Sequence, residues 1–497
     1  FSDASGLVSA EWTLGFVEGT HSASVSAVGV PAENLTATVS GGAVTGTSES
    51  IGNNGGQVSV PFGTNSSDSV IVSVPPGAFA QPRDLSVQLL AVPSSLGSRI
   101  PARSPIVRIS SSVRQASDSL VRISIPLGAM YAEDLAAYQY DAQTGDLVPV
   151  RVLGSDGESI TLGFVGFGHP FAVRPGLGLL GPADTGNNTD IVLKEIELPE
   201  GGFVDSGFEP GRDDWEFTNR GSVISEGGFC LGQTLSMTWY HWVERVGKDS
   251  EALYRGRYDV FRDAGFSLLQ YDGYDNRGWR LASVVQEDHY TEDTEEIFWA
   301  GLLSVERQQE EEEGDAATWS RIVDAMNTTG RPVQLGVWDS DERGGHALLA
   351  WRVDTNSGTI WIADPNHPGN DDRTITYDIG SETFLPYEGG QMAGDSRTYE
   401  EIVHLAISEF DWDEIGRRWG EFSSGVIGTI EPNVFPEFPI TYRAGTEPNA
   451  PIQSQITVHD REVAFSPPDQ EPERPGVVTF FWETGCQAVK DQDFCEE

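Results

Sequence analysis

From about Phe1 to Gly178 the chain alternates apolar and polar residues with period two, and it carries no helical pattern over that length. The clearest runs are Gln57-Val-Ser-Val-Pro, Ser69-Val-Ile-Val-Ser-Val, Asp84-Leu-Ser-Val-Gln-Leu-Leu and Leu120-Val-Arg-Ile-Ser-Ile. Period two puts every second side chain on one face, so each run can bury only one face of a sheet. Several such runs at short spacing predict β-sandwich modules. Tyr138-Gln-Tyr-Asp-Ala-Gln-Thr-Gly-Asp-Leu-Val-Pro-Val adds a hairpin turning at Thr-Gly-Asp.

After a Gly/Pro/Asn/Asp-rich stretch, Leu177 to Asp190, read as a linker, the pattern changes. Leu231, Leu235, Trp239, Trp242 and Val243 recur at helical spacing. Glu310 to Glu313 form an acidic run read as a solvated loop or helix start. A helix is expected through Trp319, Ile322, Val323 and Met326, stopping near Gly330. Strands follow at Pro332-Val-Gln-Leu-Gly-Val-Trp, at His346-Ala-Leu-Leu-Ala-Trp-Arg-Val, and at Thr359-Ile-Trp-Ile-Ala, with a turn at Asn356-Ser-Gly. Beyond about Gly425 the chain is Pro-rich and strand-like again. The expected division is an N-terminal β segment at 1–50, a β-sandwich domain at 51–178, a linker at 179–200, an α+β domain at 201–424 and a small C-terminal β module at 425–497.

The chain's 497 residues carry 76 acidic and 31 basic side chains, a formal charge of −45. Such a surface repels phosphate backbones and anionic lipid, which argues against nucleic-acid binding. Lys194, Lys248 and Lys490 are the only lysines. Acid excess with scarce lysine suits a protein in salty water, and a GC-rich coding bias fits equally. The 13 tryptophans argue for packed cores rather than disorder. No apolar run of about 18 residues predicts a transmembrane segment. Because the sequence opens on Phe1, removal of a signal peptide is the expectation, and the protein is expected to be secreted or at the cell surface. Asn34, Asn65, Asn187 and Asn327 stand in glycosylation-type sequons, which are common by chance in Ser/Thr-rich chains.

Of three cysteines, Cys486 and Cys495 lie close together and are disulfide candidates in an oxidising compartment. Cys230 is left over, and either a buried structural thiol or a reactive one accounts for it. Its setting, Glu226-Gly-Gly-Phe-Cys-Leu-Gly-Gln-Thr-Leu, puts it after a glycine turn at the start of an amphipathic helix. Unpaired amides at a helix N-terminus favour a thiolate, and the Cys230 amide is a natural oxyanion donor. His346, after Gly344-Gly345 at the start of an apolar strand, is the candidate base. Asp364, at the end of the next strand, is the candidate for holding the imidazole, with Asn366 as alternative. Each also has a plainer structural reading, and only the combination points to chemistry.

That combination, with Gly-His-Ala at His346 and Asp-Pro-Asn at Asp364, resembles the papain-like cysteine peptidase superfamily, especially secreted bacterial members with a Gly-x-Cys-x-Gly motif. The resemblance implies an α+β fold with Cys230 as nucleophile, His346 as general base and acid, and Asp364 as orienter. Papain relatives carry an oxyanion Gln about six residues before the cysteine, where this chain has Ile224. Gln233 and Asn219 are the candidate replacements. The expected activity is hydrolysis of amide bonds in a peptide or protein substrate, with no cofactor. Acyl transfer or cell-wall amide hydrolysis by the same triad is one alternative, and an inactive surface or adhesion protein using the domain as scaffold is another. Of the other histidines, His241 is expected to pack on the nucleophile helix, His289 to be solvated, and His367 to lie in a loop. The oxygen-rich run from Asp364 to Asp372 lacks regular calcium-loop spacing, and no metal site is expected.

In the N-terminal part, Val74-Pro-Pro-Gly-Ala-Phe followed by Leu85-Ser-Val, and Tyr140-Asp through Phe167-Gly-His-Pro-Phe-Ala-Val, resemble the β-sandwich domain of ankyrins and netrin receptors. This resemblance implies a spacer or interaction module with a cell-surface partner.

Overall fold

The computed structural model describes residues 16–27, 30–39, 43–62, 68–113, 117, 119–127, 135–142, 144–168, 187–199, 201–219, 221–222, 224–225, 228–245, 252–254, 277–289, 300–339, 345–389, 397–430, 441–442, 454–458 and 461–465. The fold is multidomain and rich in antiparallel β-structure.

Strands β1 (Gly19–Ala27) and β2 (Val30–Val39) pair as a separate two-stranded ribbon. The alternating runs become β3 (Ala43–Ile51), β4 (Gly56–Pro61), β5 (Ser69–Val74), β6 (Arg83–Leu90), β7 (Ile106–Ser111), β8 (Val121–Pro126), β9 (Leu135–Tyr140), β10 (Leu147–Ser155) and β11 (Ser159–Phe164), with a short helix α1 (Ser94–Gly97) between β6 and β7. They join β12 (Asn188–Glu195) in one path, β3-β6-β7-β12-β9-β10-β11-β8-β5-β4. β10 takes part in both halves of this path, and its pairing with β11 shifts register between Val152 and Gly154. A bulge of that kind bends a strand, so the sheet folds over itself in a barrel-like sandwich. The alternating residues Val58, Val60, Val70, Val72, Leu85, Val87, Ile123, Ile125, Ile160 and Leu162 meet inside as one core.

Two expected boundaries are corrected. β3 begins at Ala43, so the sandwich starts before residue 51. β12 lies in the stretch read as a linker, yet it sits between β7 and β9 with Ile191, Val192 and Leu193 fully buried. Part of the Asn/Asp content that suggested a loop, Asn188 and Asp190, lies inside this strand, where Asp190 pairs through both carboxylate oxygens with Arg108 on β7 at 2.7 Å.

The central region is built on β13 (Phe203–Asp205), β14 (Val333–Trp338), β15 (Gly345–Asp354), β16 (Thr359–Ala363), β17 (Thr374–Asp378), β18 (Thr383–Phe384) and β21 (Glu401–Leu405), all antiparallel in the order β18-β17-β16-β15-β14-β21, with β13 on the far half of β15. Two short strands, β19 (Tyr387–Glu388) and β20 (Thr398–Tyr399), form a hairpin beside it. One face of the sheet packs on helices α2 (Cys230–Trp239, continued by a π-helical segment to Arg245), α3 (Arg277–His289) and α5 (Trp412–Ser424). The other face packs on the second half of α4 (Ala300–Thr329), through Trp319, Ile322, Val323 and Met326. The acidic run 310–313 falls inside α4, just before a kink at Gly314 where φ is +70°. The expected helix, the hairpin strands and the turn before β16 all form as the sequence suggested. α5 ends on Gly425, whose left-handed φ of +82° closes the last turn.

Of the C-terminal module, β22 (Thr441–Tyr442), β23 (Ser454–Val458) and β24 (Arg461–Phe465) form a three-stranded sheet. Cys486 and Cys495 lie outside the described residues. No helix among the described residues is long and apolar enough to cross a membrane.

The sandwich is docked on the central region by buried polar groups. Lys194 on β12 reaches Asp324 on α4 at 2.5 Å, both fully buried, and the Tyr138 hydroxyl on β9 donates to the same carboxylate at 2.6 Å. The Arg151 guanidinium on β10 donates to the His404 carbonyl at 2.5 Å and lies 3.5 Å from the buried Glu409 carboxylate. Removing one member of such a pair strands the other charge in a dry interior. Lys194→Met is therefore expected to cost about 3–5 kcal/mol in chemical denaturation. Lys194→Met/Asp324→Leu should recover only part of that loss, since the Tyr138 hydroxyl and the Glu197 amide lose this acceptor; a fully stable single variant would contradict the assignment.

Candidate active site

Cys230 is the first residue of α2, and only the thiol end of that helix is not enclosed: Leu231 to Trp239 are all buried. The helix sits unusually close to α3. A Cβ on Gly232 would lie 1.9 Å from the Ala282 carbonyl oxygen, so only glycine permits this crossing. The Gly232 amide, an unpaired donor of the first turn, is taken by the Gln286 side chain at 3.1 Å, and the Gln233 amide by the Phe229 carbonyl at 2.9 Å. The preceding turn is equally tight. Gly228 has φ +119°, and a Cβ there would lie 2.8 Å from the Asn219 side-chain oxygen.

His346 opens β15 opposite Val337 of β14. On the other side the last β15–β16 pair is Leu349 with Ala363. Asp364, one residue on, therefore stands diagonally from His346 on the same face, within reach of an imidazole. His346 Nε2 lies 2.7 Å from Asp364 Oδ1, with both side chains buried. A hydrogen bond and the imidazole charge also link His346 to Cys230. The Ala347 amide adds a contact to Cys230 Sγ at 3.4 Å.

The electrostatics follow from these contacts. Burial opposes ionisation of the thiol. The positive charge of His346, a hydrogen bond with it, and the amides of Ala347 and Leu231 outweigh burial and hold Cys230 below the ordinary 9.0. Burial likewise disfavours a charged imidazole, but the charges of Asp364 and Cys230 and the hydrogen bonds to both push His346 up to about 10. Burial would raise the Asp364 carboxyl, while the His346 charge and hydrogen bonds from His346, Tyr387 and the Asn366 amide hold it below 3.8. These contacts therefore favour the thiolate, the imidazolium and the carboxylate over their neutral forms.

The remaining expected residues divide. Asn366 does not reach His346. Its amide donates to Asp364 Oδ1 at 2.8 Å and its side chain to the Gly389 carbonyl at 3.0 Å. The Gln233 side chain donates to the Phe217 carbonyl at 2.9 Å. Asn219 is beside the nucleophile turn, where its Oδ1 accepts the Phe229 amide at 2.5 Å and its own amide donates to the Pro365 carbonyl at 3.0 Å. That single residue ties the peptide before the thiol to the peptide after the carboxylate. Ile224 packs on the apolar core. His241 is buried, with its ring against Phe208. His289 is not solvated: it is buried, its ring lies edge-on to Phe410, and Nδ1 bonds the Val285 carbonyl at 2.9 Å. The acids flanking it in sequence had suggested a surface. His367 is partly exposed, 4.0 Å from Asp364 Oδ2.

Sequence reading missed Tyr387, Arg373 and Tyr399. The Tyr387 hydroxyl donates to Asp364 Oδ2, Arg373 donates to the Tyr387 hydroxyl at 2.6 and 3.1 Å, and Tyr399 stacks on the His346 ring at 6.0 Å between centroids. No group of three or more metal-ligating side chains comes together among the described residues. Compared with family models, with curated proteins and with solved structures, the chain matches none.

Because the imidazolium is favoured in the folded state, its contribution to stability is complete below the ordinary imidazole value of 6.5 and is lost as pH rises through about 10. His346→Gln should accordingly fall furthest below wild type in thermal unfolding at pH 6 and approach it near pH 10. A gap that is constant with pH would contradict the charged state.

Proposed function

We propose that residues 201–424 form a papain-like thiol hydrolase acting on amide bonds, most simply those of a peptide. The observation that carries this reading is a buried imidazole held at Nε2 by a buried carboxylate and linked in charge and hydrogen bonding to a thiol at a helix N-terminus. This is the arrangement that activates a thiol and then delivers a proton to its leaving group.

The Cys230 thiolate attacks the carbonyl carbon, forming the C–S bond and moving the carbonyl electron pair onto oxygen. That oxygen is stabilised by the Cys230 amide, with Asn219 supporting the turn that presents it. The imidazolium of His346 gives its proton to the departing amine as the C–N bond breaks, leaving a thioester. The now neutral His346 takes a proton from water, which attacks the thioester and releases the acid and the thiolate. Asp364 stays ionised throughout and keeps the ring aimed.

Alkylation of Cys230 by iodoacetamide across pH tests the reading. Wild type should alkylate rapidly below pH 7, where an ordinary thiol is almost entirely protonated, and His346→Ala should slow the reaction at pH 6 by about 100-fold. Slow labelling of both forms would remove the hydrolase reading and favour a scaffold role. If labelling behaves as expected, a peptide library and a cell-wall peptide, each with and without an added amine, distinguish peptidase, amidase and acyl transferase.

A further inference from the structure

Activation by an imidazolium depends on an imidazole that cannot turn, and two hydrogen bonds do not stop rotation about the line joining them. The hairpin β19–β20 supplies what is missing. Tyr387 and Tyr399 are directly opposed cross-strand partners, with ring centroids 6.3 Å apart and planes 18° from parallel. Tyr399 continues the stack onto His346, 24° from parallel with its ring. Tyr387 turns its hydroxyl to Asp364 Oδ2, the oxygen that His346 does not use. A Cβ on Gly389 would lie 2.7 Å from each tyrosine ring, so glycine is needed for the two rings to meet. Asn366, two residues past Asp364, holds the hairpin by donating to the Gly389 carbonyl at 3.0 Å.

We propose that this hairpin is a positioning unit for His346, with Tyr387 locking the carboxylate and Tyr399 covering the imidazole, a proposal that rests on the thiol-hydrolase reading. Arg373 completes it from the strand β17 side, donating twice to the Tyr387 hydroxyl so that its single proton is directed at Asp364. Tyr387 and Tyr399 act through Asp364 and His346; neither takes part in bond making.

The groups facing Asp364 are His346 from β15, His367 from its own loop at 4.0 Å, Arg373 at 3.9 Å, Tyr387 from β19 and Tyr399 from β20. Of these, Tyr387 is a neutral hydrogen-bond donor, and burial beside the carboxylate keeps it so by raising its pKa well above the ordinary 10.0. Losing its hydroxyl removes a donor from the carboxylate, so Asp364 takes up a proton at higher pH. The imidazolium then loses its counter-charge, and the thiol protonates earlier as pH falls.

The test is the pH dependence of Cys230 alkylation in wild type, Tyr387→Phe and Tyr399→Leu, each checked for folding by circular dichroism. Tyr387→Phe should move the acid limb up by about one pH unit, the tenfold shift expected for one charge-assisted hydrogen bond. Tyr399→Leu should slow alkylation at every pH without moving the limb. Should Tyr387→Phe fold poorly, Arg373→Gln, at the partly exposed end of the chain of bonds, gives the same readout. An activated wild-type thiol with an unmoved limb in these variants overturns the positioning role and leaves the hydrolase reading standing. A wild-type thiol with no activation overturns both.

Discussion

The seat of α2 on α3 and β15 is the constraint on which the rest of the central region depends. Cys230 is held by the packing of a whole helix rather than by a loop, since every residue behind it in α2 is buried. The helix comes close enough only because Gly232 lies against the Ala282 carbonyl, and Gln286 supplies the hydrogen bond that a buried first-turn amide requires. The other half of the site is set by strand pairing, which fixes His346 and Asp364 relative to each other independently of the helix. The halves meet along the sheet face on which α2 packs and, at the site itself, through the Ala347 amide at the thiol and the Asn219 amide at the Pro365 carbonyl. A site assembled from two rigid elements needs little further adjustment, which suits chemistry requiring fixed distances.

Much of this was legible in sequence wherever a period or a turn signal marked it. Alternation located β4, β5, β6 and β8, and Asn356-Ser-Gly located the turn that puts His346 and Asp364 on neighbouring strands of one sheet face. The glycine turn before Cys230 located the start of α2. The parts that escaped carry no periodic signal. β19 and β20 are two residues each, too short for alternation to register, so Tyr387 and Tyr399 looked like loop aromatics. β12 pairs with β7 and β9, far away in the chain, and both its faces are covered, so an amphipathic pattern could not mark it. Asn219 was named for its chemistry, but that it would bridge the two halves through both backbone and side chain depends on the fold of the turn it closes.

The expected role of the sandwich as a spacer changes once its docking is considered. β9 and the first half of β10 are buried on both faces, one in the sandwich core and the other in a second cluster with α1 and β12, while Val148 joins the core that includes α2. The charges at this contact are informative. Of the three lysines in a chain with net charge −45, Lys194 is spent in a fully buried pair with Asp324. Buried pairs add little net stability compared with apolar packing of the same volume, because both partners lose their hydration. What they do enforce is alignment, since a shifted interface would leave both charges unpaired. Tyr138, Lys194 and the Glu197 amide all converge on one carboxylate of α4, whose far turns pack beneath the sheet that carries His346. The sandwich is thereby keyed to the same sheet that holds the imidazole, and the two behave as one framework rather than as a tethered module and an enzyme.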